Sequence, residues 1–354
     1  LLNRFIPLSK TGKEDKMQKK TSLKDIAEAV NVSTALVSYV LNNKEKQARV
    51  NLQTAEEIKR VAKKMSYRPN QVAKSLKSGK SLAIGLIVAD ISNPFFGYLA
   101  RTIEEESKKK GYTVIFGSSD ESMKKSQELI ETLINRQIDG FIIAPAEETE
   151  KQLTYLKKAN IPFVLIDRYF KDSALSYVVI NNFKATYQAT QKLLEKGKKR
   201  IAFVCYKNKL QHTKERYRGY IEALKDHGSA DINELICEVE FNNPSYFKKE
   251  FGQLLKTGSK VDAVLFSTNA LSIMGLKQIM ETGIRVPEDL ALFCFDQSES
   301  YDLFYCPISY VHQPLEEIGQ KAVQMLIDRM SNHQSAYQQL VLDPELIIKR
   351  SSGT

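Results

Sequence analysis

Cysteine and histidine are scarce in this chain, four of each, and neither is arranged for chemistry. Cys205, Cys237, Cys294 and Cys306 stand singly with no CxxC pair, and His212, His227, His312 and His333 form no cluster at ligand spacing. That argues against the common zinc sites and a disulfide scaffold, and leaves buried free thiols in a reducing compartment as the reading. No apolar run approaches the ~18 residues that a membrane span needs. The opening LLNRFIPLSKTGKEDK holds only a short apolar patch broken by Pro7, too short for the core of a signal peptide. No G-x-G-x-x-G follows the first strand-like run, no P-loop occurs, and no nucleophile–base pair is legible. Neither an enzyme nor a bound cofactor is therefore expected.

What is present is a soluble, globular composition, 42% hydrophobic and 27% charged. At 354 residues the chain should form about two or three domains. Its charge is unevenly placed. Residues 1–80 carry 18 Lys+Arg against 7 Asp+Glu, a net of +11, and the remaining 274 carry 34 against 35, a net of −1. A basic module on a neutral body is the electrostatic footprint of a nucleic-acid binder.

The basic quarter contains TSLKDIAEAVNVSTALVSYVLNN. Ser22 and Asp25 form a capping-box pattern, with Asp standing in for the more usual Glu. The helix that follows carries Leu23, Ile26, Ala27 and Val30 on one face. Asn31-Val32 turns the chain, and Ser33 is placed to cap a second helix with Leu36, Val37, Val40 and Leu41 inward. Two short amphipathic helices joined by a tight turn make a helix-turn-helix. Asn51 is placed to cap a third helix whose Ile58, Val61, Ala62 and Met65 close the core. Tyr67-Arg68-Pro69-Asn70 ends that helix, because the residue before proline disfavours the α region. Val72, Ala73 and Leu76 then share one face of a helix so short that it would order only against a partner. Residues 1–20 read as a basic, disordered extension, residues 21–68 as the helix-turn-helix domain and residues 69–80 as a hinge.

TSLKDIAEAVNVS…VSYVLNN, YRPNQVAKSL and the later IGLIVADISNPFF together resemble the LacI/GalR family of bacterial transcription regulators, and the likeness runs over nearly the whole chain from Thr21. The resemblance implies that the second helix enters the DNA major groove, with Thr34, Ala35 and Tyr39 at the base-reading positions. Tyr39 departs from the Arg usual there; it offers one hydroxyl and a ring for a thymine methyl in place of a bidentate guanine contact. The resemblance also implies that Ala73 and Leu76 lie in the minor groove, Leu76 as a wedge that kinks the duplex. Lys24, Lys44, Lys46 and Arg49 are the candidates for phosphate contact.

From Ser81 onward, apolar strand-like runs alternate with helical stretches. The runs are Leu82–Val88, Thr113–Phe116, Gly140–Ala144 and Phe163–Ile166, then Ile201–Cys205, Ala263–Phe266 and Leu290–Phe295; Leu99–Lys110 and Lys124–Asn135 are among the helices. The fold class is therefore α/β: two Rossmann-like parallel-sheet subdomains, resembling periplasmic binding proteins, behind a small all-α head. The first subdomain is expected over about 81–179 and 311–338, the second over about 180–310 and 339–354. No leucine heptad closes the sequence at Leu346–Thr354, so the tetramerisation helix of some relatives is not expected.

Ligands in such sheets bind beyond the strand C-termini. Standing there are Asn93, Phe95 and Phe96 past the first strand, Asp167 and Arg168 past Phe163–Ile166, Asn269 past Ala263–Phe266, and Asp296 past Leu290–Phe295. Arg216 is placed just before a helix containing Gly219-Tyr220. An aromatic wall with carboxylate, amide and guanidinium groups suits a sugar-like molecule. The resemblance supports these positions and adds His312, two before Pro314, a departure in residue type; Ala270 replaces the Asp that often follows the Asn. Plainer readings stand beside these: Phe95 as core packing, Asp167–Arg168 as an ion pair, Asn269 and Asp296 as turn caps, His312 as structural.

The expectation is a cytoplasmic, ligand-responsive repressor of carbohydrate-related genes. It would bind a palindromic double-stranded operator as a homodimer and be switched by a sugar, a uronic acid or a nucleoside. A solute-binding protein without regulatory role is the alternative, and it would lack the basic head.

Overall fold

The computed structural model describes residues 21–68, 79–171, 174–228, 235–256, 261–332 and 336–353. The chain divides into two compact units between Gly79 and Lys80.

The first unit is built from α1 (Leu23–Val30), α2 (Thr34–Leu41) and α3 (Leu52–Lys64). Side chains settle where each begins. The Ser22 hydroxyl accepts from the Asp25 N–H at 3.3 Å, and the Asp25 carboxylate accepts from the Ser22 N–H at 2.7 Å. Ser33 accepts from the Leu36 N–H, and Asn51 from the Gln53 N–H. Asn31 closes α1 in the left-handed region, φ 55°, where Asn is better tolerated than most residues. Ile26, Ala27, Val37, Val40, Ala55, Ile58, Val61 and Ala62 are buried together as one core. A hydrogen bond from Thr21 Oγ1 to the Met65 carbonyl, 2.8 Å, joins the start of the unit to the end of α3. The hinge and the extension, Ala73 and Leu76 included, lie outside the described residues.

The second unit contains two six-stranded sheets. The first half runs β1 (Ala83–Val88), α4 (Pro94–Lys109), β2 (Thr113–Ser118), α5 (Met123–Asn135), β3 (Gly140–Ile143), α6 (Glu150–Lys158), β4 (Phe163–Ile166) and β5 (Tyr177–Ile180). The second half repeats this pattern. It comprises α7 (Asn182–Glu195), β6 (Ile201–Tyr206), α8 (Gln211–Asp226), β7 (Ile236–Val239), α9 (Pro244–Lys256), β8 (Ala263–Phe266), α10 (Asn269–Thr282), β9 (Ala291–Phe295) and β10 (Ser309–His312). The chain then returns through α11 (Leu315–Ser331) and β11 (Gln339–Leu342) to the first half, and ends with β12 (Glu345–Ile347) in the second. The sheet orders are β11-β5-β4-β3-β1-β2 and β12-β10-β9-β8-β6-β7. Among the described residues every strand pairing is parallel except β12 on β10. The central strands β3, β4, β8 and β9 are buried at every position, which accounts for their continuous apolar runs.

Three details differ from the sequence reading. Val311 and His312 belong to β10 of the second sheet, and residues 339–342 pair with β5 in the first, so the last two crossings fall later than the 311 and 339 boundaries. The reason is packing: Leu340 and Leu342 turn inward while Gln339 and Val341 face out, a half-buried alternation that suits the open edge beside β5. Helix α4 starts at Pro94, five residues before the expected Leu99, since proline fits the first helical turn and Asn93 caps it. Arg216 does not precede its helix but lies inside α8, because Gln211 already begins the helical turns.

Candidate functional site

Two aspartates organise the site in the second unit. Asp167 follows β4 and Asp296 follows β9, the equivalent strand of the other sheet, and both have left-handed backbone, φ 64° and 65°. Such conformations in non-glycine residues carry strain and cluster at functional sites. Both side chains are buried, at 8% and 7% exposure.

Arg168, also buried, gives both terminal nitrogens to Glu121 at 2.6 Å and its Nε to Asp167 at 3.1 Å. The fork on Glu121 is the strong, bidentate arrangement of guanidinium and carboxylate. Burial works to lower the Arg168 pKa, but Glu121 and Asp167 outweigh it and the net shift is upward. Arg216 enters from α8. Its Nε donates to Asn182 Oδ1 at 2.7 Å, its Nη1 to the Ser267 carbonyl at 2.6 Å, and its guanidinium lies 3.8 Å from the centroid of the Phe295 ring. Burial raises the Asp167 carboxyl, with Arg168 opposing. The same cause pushes Asp296 up to about 6, against the pull of Arg216 and the bond from Gln313 Nε2 at 2.6 Å.

Asn269 begins α10 fully buried. Its Nδ2 donates to the Gln297 carbonyl at 3.4 Å, and its Oδ1 meets no partner among the described residues. His212, at the start of α8, is buried with its Nε2 3.3 Å from the Thr213 hydroxyl and its Nδ1 likewise unmatched. Burial, then the charges of Arg168 and Arg216, hold its pKa well below the ordinary imidazole value.

Asp167, Arg168, Arg216, Asn269 and Asp296 thus form a buried cluster at strand exits and helix starts of both halves. An adjoining open cavity of about 1010 Å³ is bounded by Phe95, Tyr98, Asp296, Gln297, His312 and Gln313, among others. Asp296 belongs to both. Phe95 faces this cavity while remaining 4% exposed, whereas Phe96 packs edge-on against Phe95 and stands 6.0 Å from the Arg168 guanidinium. Asn93 uses its side-chain oxygen to cap α4. Sequence reasoning passed over Glu121, Asn182, His212 and Gln313. Glu121 and Asn182 follow β2 and β5, so the strand-exit rule that found the others, applied to those strands, would have found these two.

In the first unit, Thr34, Ala35 and Tyr39 are exposed on α2, Tyr39 by 48%. Lys24 is exposed and stands 3.8 Å from Glu28; Lys44, Lys46 and Arg49 are exposed between α2 and α3. Among the described residues no group of His, Cys, Asp and Glu is disposed to hold a metal ion, and no helix is long and apolar enough to cross a membrane.

Comparison with known proteins covers both units. Residues 22–70 match the family described as bacterial regulatory proteins, lacI family, and residues 190–352 match a periplasmic binding protein-like domain. The HTH-type transcriptional regulator RegA of Clostridium saccharobutylicum is 30% identical over 333 residues, 94% of this chain and 99% of the relative. The HTH-type transcriptional repressor PurR of Actinobacillus pleuropneumoniae serotype 3 (strain JL03) is 28% identical over 332 residues, 93% and 98% of the two chains. Among solved structures, a complex of the transcriptional regulator CelR with cellobiose superposes with a TM-score of 0.70 at 25% identity, over 94% of this chain and 100% of that one.

Proposed function

From the chain's membership of the lacI family of bacterial regulatory proteins, we propose that it is a cytoplasmic homodimer that represses transcription from a palindromic operator and is switched by a small sugar-like effector. Members of this family bind DNA and are not enzymes. The observation that carries the reading is one chain holding both parts of a switch. A capped helix-turn-helix exposes Thr34, Ala35 and Tyr39 on its second helix, and a separate α/β unit holds a buried cluster of charged and polar side chains. The PurR relative is named a transcriptional repressor and the CelR structure holds cellobiose, which supports repression under control of a saccharide or a molecule of that size.

In this reading Thr34, Ala35 and Tyr39 face base edges, while Lys24, Lys44, Lys46 and Arg49 take phosphates. Ala73 and Leu76 act in the minor groove between two heads, which is why a second copy is needed. Asp167, Arg168, Arg216, Asn269 and Asp296 take the polar groups of the effector, with Asn93, Phe95, Phe96 and His312 at its margin. The effector changes the closure of the two α/β halves and so the pairing of the heads.

The test is selection of random duplex DNA on the purified protein, then titration of the winning site at several salt concentrations. The expected result is a short palindrome whose log K falls against log salt by ~0.9 per phosphate neutralised. The bases recovered opposite Tyr39 report what a tyrosine reads there. Absence of any enriched sequence would overturn the regulator reading.

A further inference from the structure

We propose that the second α/β half carries another ligand site, separate from the buried cluster around Asp296, and that it takes a compact zwitterion, an α-amino acid with an apolar side chain. The effector-controlled reading neither requires this site nor falls with it.

The site is a cavity of about 270 Å³ bounded by the start of α8 and by β6 and β7. Pockets for drug-sized ligands run from ~300 to 1,000 Å³, so this one suits a smaller molecule. Strand register builds its floor. Cys205 and Glu238 are partners in the parallel pairing of β6 with β7, and Ile236 lies two residues before Glu238, so all three side chains stand on one face of the sheet. Because β7 is an edge strand, Glu238 is exposed while its partner Cys205 is buried. Helix α8 brings Thr213, Lys214 and Tyr217, neighbours on one side of the helix. His212 and Arg216 lie one turn apart on the adjoining side and belong to the buried cluster, so the two sites share a helix and no side chain.

The cavity presents opposite charges from opposite walls. Lys214 comes from the helix and Glu238 from the strand, and neither enters an ion pair among the described residues; Glu215, beside Lys214 in the chain, is taken by Arg218 at 2.6 Å. Around Lys214 the remaining groups donate. Asn208 Oδ1 already accepts from the Leu210 N–H at 3.1 Å, which leaves Nδ2 for a ligand, and the Thr213 hydroxyl stands 3.3 Å from His212 Nε2. Leu210 at the N-cap gives the first turn of α8 no side-chain bond, so the positive end of that helix is uncapped here. A carboxylate, which only accepts, matches this wall.

The strand wall asks for the reverse. Glu238 can accept from an ammonium group, and the rings of Tyr206 and Tyr217 border the same space, where a cation gains from an aromatic face. A lone acid would meet Glu238 as a like charge, and a lone amine would meet Lys214; a zwitterion answers both. Ile236 and Cys205 leave an apolar floor for its side chain. Burial, then the charge of Glu238, pushes the Cys205 thiol up to about 12, so it stays protonated at neutral pH and lines the cavity without acting as a nucleophile.

Isothermal titration of the full chain with L-leucine and L-phenylalanine tests this, each beside its deaminated acid (4-methylpentanoate, 3-phenylpropanoate) and its decarboxylated amine (3-methylbutylamine, phenethylamine). At least one amino acid is expected to bind, with its acid and its amine at least about 5-fold weaker. Lys214→Met and Glu238→Gln should each weaken that binding about 3-fold or more; both positions are exposed, and a melt near that of the parent shows that each variant folds. Asp296→Ala, altered in the buried cluster alone, should bind the amino acid as the parent does. The proposal is overturned if neither amino acid binds at millimolar concentration, if an acid or amine binds as tightly as its parent amino acid, or if either folded variant keeps full affinity. Loss of binding in a folded Asp296→Ala would place the amino acid in the cleft and overturn it too. In each of these cases the effector-controlled reading stands on its own test.

Discussion

Asp296 is held by the fold in the protonation range where a carboxyl is most responsive. Burial moves it up to about 6, and Arg216 with Gln313 keeps it from rising further. An unfolded chain would return it to an ordinary value near 3.9. The folded protein therefore binds this proton more tightly than the unfolded one. The group's stabilising contribution is complete below about pH 4 and is lost as pH rises through about 6. An effector that donates hydrogen bonds to the ionised carboxylate works in the opposite sense, offsetting that loss where the carboxylate is charged. Effector affinity should accordingly fall as pH drops from 7.5 to 5, and the thermal shift it produces should shrink with it. Titrations at four pH values in that range check this; a flat affinity would mean that Asp296 does not touch the ligand. Asp296→Ala should lose the effector response at every pH and still bind operator DNA.

Helices α7 and α8 cross at a point where no side chain fits. A Cβ on Gly219 would lie 2.3 Å from the Phe183 carbonyl oxygen and 2.4 Å from Thr186 Oγ1, and backbone cannot yield as a flexible side chain would. The Thr186 hydroxyl also donates to the Arg216 carbonyl at 2.7 Å, so the same crossing seats the arginine of the buried cluster. Gly219→Ala should cost about 1–3 kcal/mol, the usual range for overpacking. It should also weaken effector binding by displacing Arg216; thermal melts and ligand titration read the two effects, and a melt within a degree of the parent would refute the close crossing. Elements of this kind were legible to different degrees. The caps Ser22, Ser33 and Asn51, and the fully buried strands β4 and β8, follow from local residue patterns, because a cap is a hydrogen bond within three residues and a buried parallel strand must be continuously apolar. The edge strands β7, β11 and β12 were not legible, although β2 was. Gln339–Leu342 alternates like any half-buried strand, and nothing local says which of two similar sheets it joins. The pocket divides likewise. Asp167 and Asp296 were found because they end recognisable strands. His212 was missed because a lone histidine looks structural until its unmatched Nδ1 and two neighbouring arginines are known.

At the scale of the α/β unit, the two halves are tied by three chain crossings and by bonds at the lips of the cleft between them. On one lip the Tyr98 hydroxyl, from α4, donates to Glu299 Oε1 at 2.8 Å, in the 3₁₀ turn after β9. On another the Lys209 N–H, between β6 and α8, donates to Glu147 Oε1 at 2.8 Å, beyond β3. Tyr98 borders the open cavity and is 42% exposed, so its bond is worth only a modest amount, about 0.5–1.5 kcal/mol. That is still enough to matter in a switch, where coupling between sites is typically ~1–3 kcal/mol. A ligand that must be enclosed gains affinity from anything that favours closure, whether or not that group touches it. Tyr98→Phe and Glu299→Ala should therefore each weaken effector binding about 2- to 10-fold while leaving the polar cluster around Asp296 intact. Because one bond is broken in either case, the double variant should be no weaker than the single ones. A double-mutant cycle on effector affinity decides the matter. A coupling energy near the single effects identifies the bond as a closure latch, and simple additivity would show that the two residues act separately and that closure is set elsewhere.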